Sequence, residues 1–488
     1  MMRTSRRTWS IAVAAATMVW AAGGIACAQY ADLPSDPAYA WATGAGPESR
    51  FAAASGEAEK DLAARVKDLE SALKKIKDKE AADKKKAASA PSVKLGGRVY
   101  FDSITFGQNA VSRANLGDAQ DTSFFRTARL SAEGEGFDVM YYKVEVDFAP
   151  RRDITTSVAS GHSHTVSAQQ TSFKDVYFGI KELPLVGKVQ VGHFKEPFSL
   201  EELTSSRFIT FTERALPNVL VPQRNLGIMI GNHTASENAT WAMGAFRTVD
   251  DMPPYLADDA SIYAFTARGT WLPWYDEATE GRGLLHVGGA YSYRDYSNNT
   301  LRLSARPETG AGPLIIDSRI GGVDTLTGVA DTQLYGAELA AVYGPFSIQT
   351  EYIACLFERT ATNQDPYVHG AYVYLSYFLT GEHRPYKRSS GTFDRVKPFT
   401  NFFRVRTSDG SVETGSGAIE LAYRYSYLNA DNSILLGGYA SDHTFGVNWY
   451  LNPYTRVMCD YTHANVDVKG GGPNTYIDCF TIRAAFDF

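Results

Sequence analysis

Arg384, Lys387, Arg388, Arg395, Lys397, Arg404 and Arg406 fall within residues 381–406, where Glu382 and Asp394 are the only acids and the net charge is +5. Guanidinium and ammonium groups only donate hydrogen bonds and an oxyanion only accepts them, so a stretch of this kind can replace part of the hydration of a small anion. Two further long stretches add donors. Residues 196–224 contain Arg207, Arg214 and Arg224 with Lys195 at their base, and 296–331 contain Arg302, Arg306 and Arg319. Bond-breaking chemistry is not indicated: the nine His are scattered and His286 has no Ser and acid near it in sequence, so no catalytic residues and no enzyme are expected. His162-Ser-His164 lies in a polar loop without companion ligands, and neither a metal nor a cofactor is expected.

The elements that would position these donors are strands. In the closing segment, Phe480, Ile482, Ala484, Phe486 and Phe488 share one face, with Thr481, Arg483 and Asp487 on the other. The same period of two recurs in Phe445 to Leu451, Ile419 to Tyr427, Ala371 to Leu379, Ile348 to Tyr352 and Tyr142 to Phe148, where Lys143, Glu145 and Asp147 form the opposite row. A charged inner row implies a watery interior, and tyrosines at the ends of the outer rows imply aromatic girdles at two membrane interfaces. No run of about 18 apolar residues lies beyond the N-terminus, so a chain that crosses lipid must close its sheet. About sixteen strands are predicted, beginning near 92, 124, 138, 172, 186, 225, 240, 260, 283, 332, 346, 369, 416, 441, 454 and 475. Tight turns at 134–136, 184–187, 344–345 and 452–453 alternate with long connections at 105–123, 150–171, 196–224 and 296–331. Short turns belong to the periplasmic end of such a barrel, so 381–415 stands out as a long insertion on the short-turn side. The fold class expected is all-β: a 16-stranded antiparallel transmembrane barrel preceded by a short periplasmic coiled-coil helix.

Residues 1–28 read as an export signal, with Arg3, Arg6 and Arg7 before the apolar Ile11 to Ala22 and cleavage expected before Gln29. A lipoprotein cysteine at Cys27 is the rival reading. Residues 29–56 form an Ala/Gly/Pro-rich linker. Within 57–90, Leu62, Val66, Leu69, Leu73 and Ile76 trace an a/d seam that leans away from dimers, and Lys74 to Lys86 make its end basic. The barrel is expected over 91–488. Cleavage would leave Cys355, Cys459 and Cys479, with Cys459 facing outward and Cys479 inward, so no bridge between those two is predicted.

Gly192 to Glu201, Thr204 to Ile209, Glu213 to Pro217, Tyr377 to Pro385, Leu421 to Leu428 and Asn448 to Pro453 together resemble the phosphate-selective porin O and P family, over roughly Val93 to Phe488. The resemblance implies a trimeric, sixteen-stranded outer-membrane channel narrowed by two outer loops and one periplasmic turn folded into the lumen. It also implies passive diffusion of small anions, with phosphate or polyphosphate as the cargo. The segments 196–224, 296–331 and 381–415 match that arrangement in order and parity. Arg388 and Lys397, with Lys195 and Arg214, are expected to line the constriction. Against this stands the charge of the barrel: beyond residue 91 there are 34 Lys and Arg and 43 Asp and Glu, a net of −9, so anion preference must arise locally. A general porin, or an envelope tether through the coiled coil and its basic end touching the cell wall, are the alternatives. The partners expected are small anions, outer-membrane lipid and two further copies of the chain, with no nucleic acid.

Overall fold

The computed structural model describes residues 65–80 and 91–488, apart from 150, 158–162, 170, 249–261, 321–322, 325, 361–364, 407–409, 432–436 and 468–473; the expected export signal and linker, and His162, lie outside the described residues. The chain divides into two compact units, Met1–Lys79 and Glu80–Phe488. In the first, 65–79 are helical and Val66, Leu69, Leu73 and Ile76 are all exposed along one seam.

The second unit is a closed barrel of sixteen strands. In chain order they are β1 (Lys94–Gly107), β2 (Thr122–Gly136), β3 (Met140–Asp147), β4 (Ser172–Leu183), β5 (Gly187–Lys195), β6 (Arg224–His233), β7 (Ala239–Arg247) and β8 (Tyr263–Tyr275). There follow β9 (Gly283–Leu301), β10 (Leu326–Tyr343), β11 (Phe346–Arg359), β12 (Tyr367–Phe378), β13 (Ala418–Asn429), β14 (Tyr439–Asn452), β15 (Thr455–Asp467) and β16 (Thr475–Asp487). Each pairs antiparallel with its sequence neighbours, and β16 closes on β1 with Ser103 opposite Ile482. Closure leaves no unpaired edge, which hydrocarbon would not tolerate.

Strand starts fall within a few residues of those predicted, except that β10 begins six residues early. That difference lies where β9 and β10 extend past the apolar band through Ser297-Asn-Asn-Thr300 with irregular register, held by backbone pairing without an alternating apolar signal. Outward residues behave as predicted: Phe445, Val447, Phe480, Ile482, Phe486 and Phe488 are exposed to the lipid side. Cys479 is buried on the inner row.

The interior is less uniformly watery than the charged rows imply. The third outer loop (196–223), the fifth (302–325) and the periplasmic insertion (379–417) all fold against the inner wall. Phe198, Leu216, Leu220 and Val221 of the third loop, with Leu303, Ile315 and Ile316 of the fifth, pack on inward Leu334, Ile353, Val368, Leu428, Val466 and Ile477. Each such side chain, fully buried, contributes about 1.5–3 kcal/mol. The wall makes room by omission: a Cβ on Gly336 would stand 3.0 Å from the Phe198 ring, and one on Gly446 would stand 3.2 Å from Phe211. Beneath them Phe393 of the insertion packs with Tyr386, Leu200, Leu272 and Leu284. One side of the lumen is therefore filled, and the open path is pushed toward β1–β6.

Candidate pore constriction

The pleat turns Arg98 and Tyr100 of β1, Arg129 of β2, Lys143 of β3 and Arg483 of β16 inward, and Lys195 and Arg224 stand where β5 ends and β6 begins. Leu203 to Arg214 of the third loop faces this row across a cavity of about 260 Å³, into which Arg126 of β2 also projects. Eight cationic side chains line the space: Arg98, Arg126, Arg129, Lys143, Lys195, Arg214, Arg224 and Arg483.

Six carboxylates hold them. Glu145 lies 2.8 Å from Arg98 and 3.1 Å from Arg129, which also reaches Asp147 at 2.6 Å. Asp175 bridges Lys143 at 3.1 Å and Arg224 at 2.7 Å. Glu202 pairs with Lys195 at 2.9 Å and Arg214 at 3.1 Å, Glu213 with Arg126 at 2.6 Å and Arg483 at 2.9 Å, and Asp102 with Arg483 at 2.6 Å. With all of these groups ionised, two positive charges remain in surplus. Neither terminal nitrogen of Arg224 donates to an acceptor among the described residues, so its fork is available to a guest in the cavity. Such charge-assisted, planar donors are the ones that grip an oxyanion most strongly.

The loop is fixed in place at both ends. Ser199, at a φ of 68°, caps the short helix Leu200–Leu203, and Glu351 of β11 accepts from the amides of Leu200 and Glu201 at 3.0 and 2.7 Å. Further along, Asp460 of β15 accepts from the Thr212 amide at 2.7 Å, and Arg483 donates to the Thr212 carbonyl. Arg424 of β13, fully buried, ties Glu201 of the third loop to Glu308 of the fifth at 3.2 and 2.5 Å. On the loop itself, burial would raise the carboxyl of Glu202, but Arg214 and Lys195 outweigh it and hold it at about 2. Arg126 and Arg483 do the same for Glu213, also at about 2.

Three cavities lie in series. An outer mouth of about 340 Å³ shares Arg126, Arg129, Glu213, Arg214 and Arg224 with the constriction. An exit of about 890 Å³ near the short turns shares Lys195, Leu203 and Ser205 with it. Shared lining makes the three spaces neighbours.

The sequence-predicted basic residues divide. Lys195, Arg214 and Arg224 meet at the constriction, Arg306 reaches the mouth while donating to the Gly312 carbonyl, and Lys387 lines the exit. Arg388 turns to the turns between β6 and β7 and between β8 and β9: it pairs with Glu277 at 2.8 Å, donates to Asn238 at 2.5 Å and lies 4.3 Å over Tyr275. Lys397 is exposed and lines none of the three cavities. Arg395 and Arg207 converge on Asp487, at 2.7 and 3.7 Å, and Arg302 pairs with Asp317 at 3.1 Å. Arg384 is buried against Gln349 and over Phe393 at 3.6 Å. The Arg319 side chain lies outside the described residues. Charge density in the loops therefore pointed to three of the eight lining cations. Arg98, Arg126, Arg129, Lys143 and Arg483 lie on strands, and the signal for them was a basic residue on an inward row, already visible at Lys143 and Arg483.

The curated relative Porin O of Pseudomonas aeruginosa is 28% identical over 405 residues, covering 77% of this chain and 83% of its own. An uncharacterized protein of Caulobacter vibrioides is 27% identical over 297 residues, 58% of this chain and 55% of its own. Among solved structures, the outer membrane channel DcaP of Acinetobacter baumannii superposes with a TM-score of 0.47 at 12% identity, covering 82% of this chain and 98% of its own. The anion-selective porin from Comamonas acidovorans gives 0.44 at 13%, covering 81% and 100%. The family model described as phosphate-selective porin O and P matches residues 93–488, the barrel whose strands, infolded loops and inserted turn are described above. With that match over four-fifths of its length, this outer-membrane barrel belongs to the phosphate-selective porin O and P family.

Proposed function

We propose that the protein is an anion channel that holds phosphate between the third outer loop and the wall of β1–β6 on its way through the outer membrane. The observation that carries this reading is the surplus of two positive charges around a 260 Å³ space with the Arg224 fork free. A doubly charged phosphate matches that surplus, and a lightly dehydrated cavity makes the match count for more than it would in bulk water. Lys195, Arg214 and Arg224, with Arg98, Arg126, Arg129 and Lys143, are the contacts we assign. The acidic remainder of the barrel leaves the preference local. The family's description supports the same cargo.

Purified protein in planar bilayers tests this. Reversal potentials in a chloride gradient should show anion preference, and added phosphate should block the chloride current. Cation preference would leave a general porin. We propose further that the protein is a trimer: the exposed seam of Val66, Leu69, Leu73 and Ile76 needs an apolar partner, and two more copies of the same helix supply it. Crosslinking before and after removal of 57–90 checks that arrangement.

A further inference from the structure

The exit below the constriction differs from the mouth above it. Its 890 Å³ are lined by Lys195, Lys188 and Lys387, by the carboxylates of Glu182 and Asp394, and by the apolar Phe208, Met229 and Phe393. The ammonium groups of Lys188 and Lys387 have no acceptor among the described residues, and the two charges lie within electrostatic reach of each other. Phe208 belongs to the third loop and Phe393 to the insertion, so two separate segments bring aromatic carbon to the same space. An inorganic anion gains nothing from that carbon, because apolar surface offers no donors. A guest with a charged head and a compact apolar group would use both kinds of lining at once.

We propose that this exit is a binding subsite for organic phosphates and phosphonates whose substituent is small and apolar, the head on Lys188 and Lys387 and the substituent against Phe208 and Met229. The inference rests on the phosphate reading for how the head is recognised, and adds the organic substituent as a second determinant.

Phenylphosphonate and methylphosphonate serve as probes, added to the periplasmic side of the wild-type channel at a pH where both heads are dianions, with chloride current as the readout. The larger apolar surface of the phenyl group should lower the concentration for half block about fivefold relative to methyl. Phe208→Ser should bring that ratio toward one while folded protein is recovered in normal yield. A wild-type ratio near one overturns the inference whatever inorganic phosphate does. An unchanged ratio in Phe208→Ser overturns the assignment to this vestibule. Failure of inorganic phosphate to block, with the fivefold ratio kept, overturns the phosphate reading alone and supports the apolar subsite.

Discussion

Replacing Arg224 by Gln is the sharpest test of the constriction. The change removes one of two surplus charges together with the only guanidinium among those lining the constriction whose terminal nitrogens both lack an acceptor among the described residues, and it leaves Asp175 with Lys143 as its partner at 3.1 Å. A unit charge about 5 Å from an anion at an effective dielectric of about 20 is worth roughly 3 kcal/mol, and water entering from the mouth reduces this. A loss of about 1.5–3 kcal/mol is therefore expected, which is roughly a 10- to 100-fold rise in the phosphate concentration that halves the chloride current. The companion variant Arg224→Gln/Asp175→Asn restores the surplus of two without restoring the donors. If the fork matters, the double variant recovers less than about threefold; if only net charge matters, it recovers most of the loss. Block by phosphate within twofold of wild type in the single variant would refute the placement of the site.

Four further outcomes are expected. Arg388→Gln/Lys397→Gln should leave phosphate block within about twofold, because Arg388 is committed to Glu277 and Asn238 and Lys397 lines none of the three cavities; a several-fold loss of block would return the insertion to the filter. Gly446→Val should push Phe211 off the wall, destabilise the third loop by about 1–3 kcal/mol and raise single-channel conductance, which bilayer recording reads directly. Replacing Phe488 by Asp puts a charge at the lipid-facing end of the strand whose amide and carbonyl bond Gly97, and should lower the yield of heat-modifiable folded barrel without changing export. The Glu202 and Glu213 pairs hold the loop with carboxyls depressed to about 2, so their stabilisation is complete above about pH 4.5 and lost as pH falls toward 2; single-channel conductance should be flat down to pH 5 and rise only as the pH approaches 2 and the loop loosens.

The barrel was legible because lipid enforces a period of two on every strand, and the eye needs only the outer rows to count sixteen. The parity of short and long connections was legible for the same reason, and it singled out 381–415, which lies within the insertion at 379–417. The site was legible only in part. Lys195, Arg214 and Arg224 were found by charge, but so were Arg395 and Arg302, which carboxylates across the fold occupy. Whether a cation is spent on a carboxylate depends on partners such as Asp487 or Asp317, whose approach is fixed by tertiary packing and leaves no trace in local composition. Arg98 and Arg129 were hidden for the opposite reason, since an isolated basic residue in a strand looks like any inward polar position until the loop opposite it is known.

Arg483 links barrel closure to the placement of the third loop. It sits on the last strand, joins Asp102 on the first at 2.6 Å, and holds Glu213 and the Thr212 carbonyl of the third loop. These partners are separated by 381 and about 270 residues in sequence, so none of the contacts can form until the final strand has been made, and the one with Asp102 spans the seam that β16 closes on β1. The selective gap is thus a product of the last step of folding. A chain arrested before that step would present an open sheet with the loop unclamped, and would have neither a lumen nor a filter; any channel that conducts at all has already passed the step that makes it discriminate.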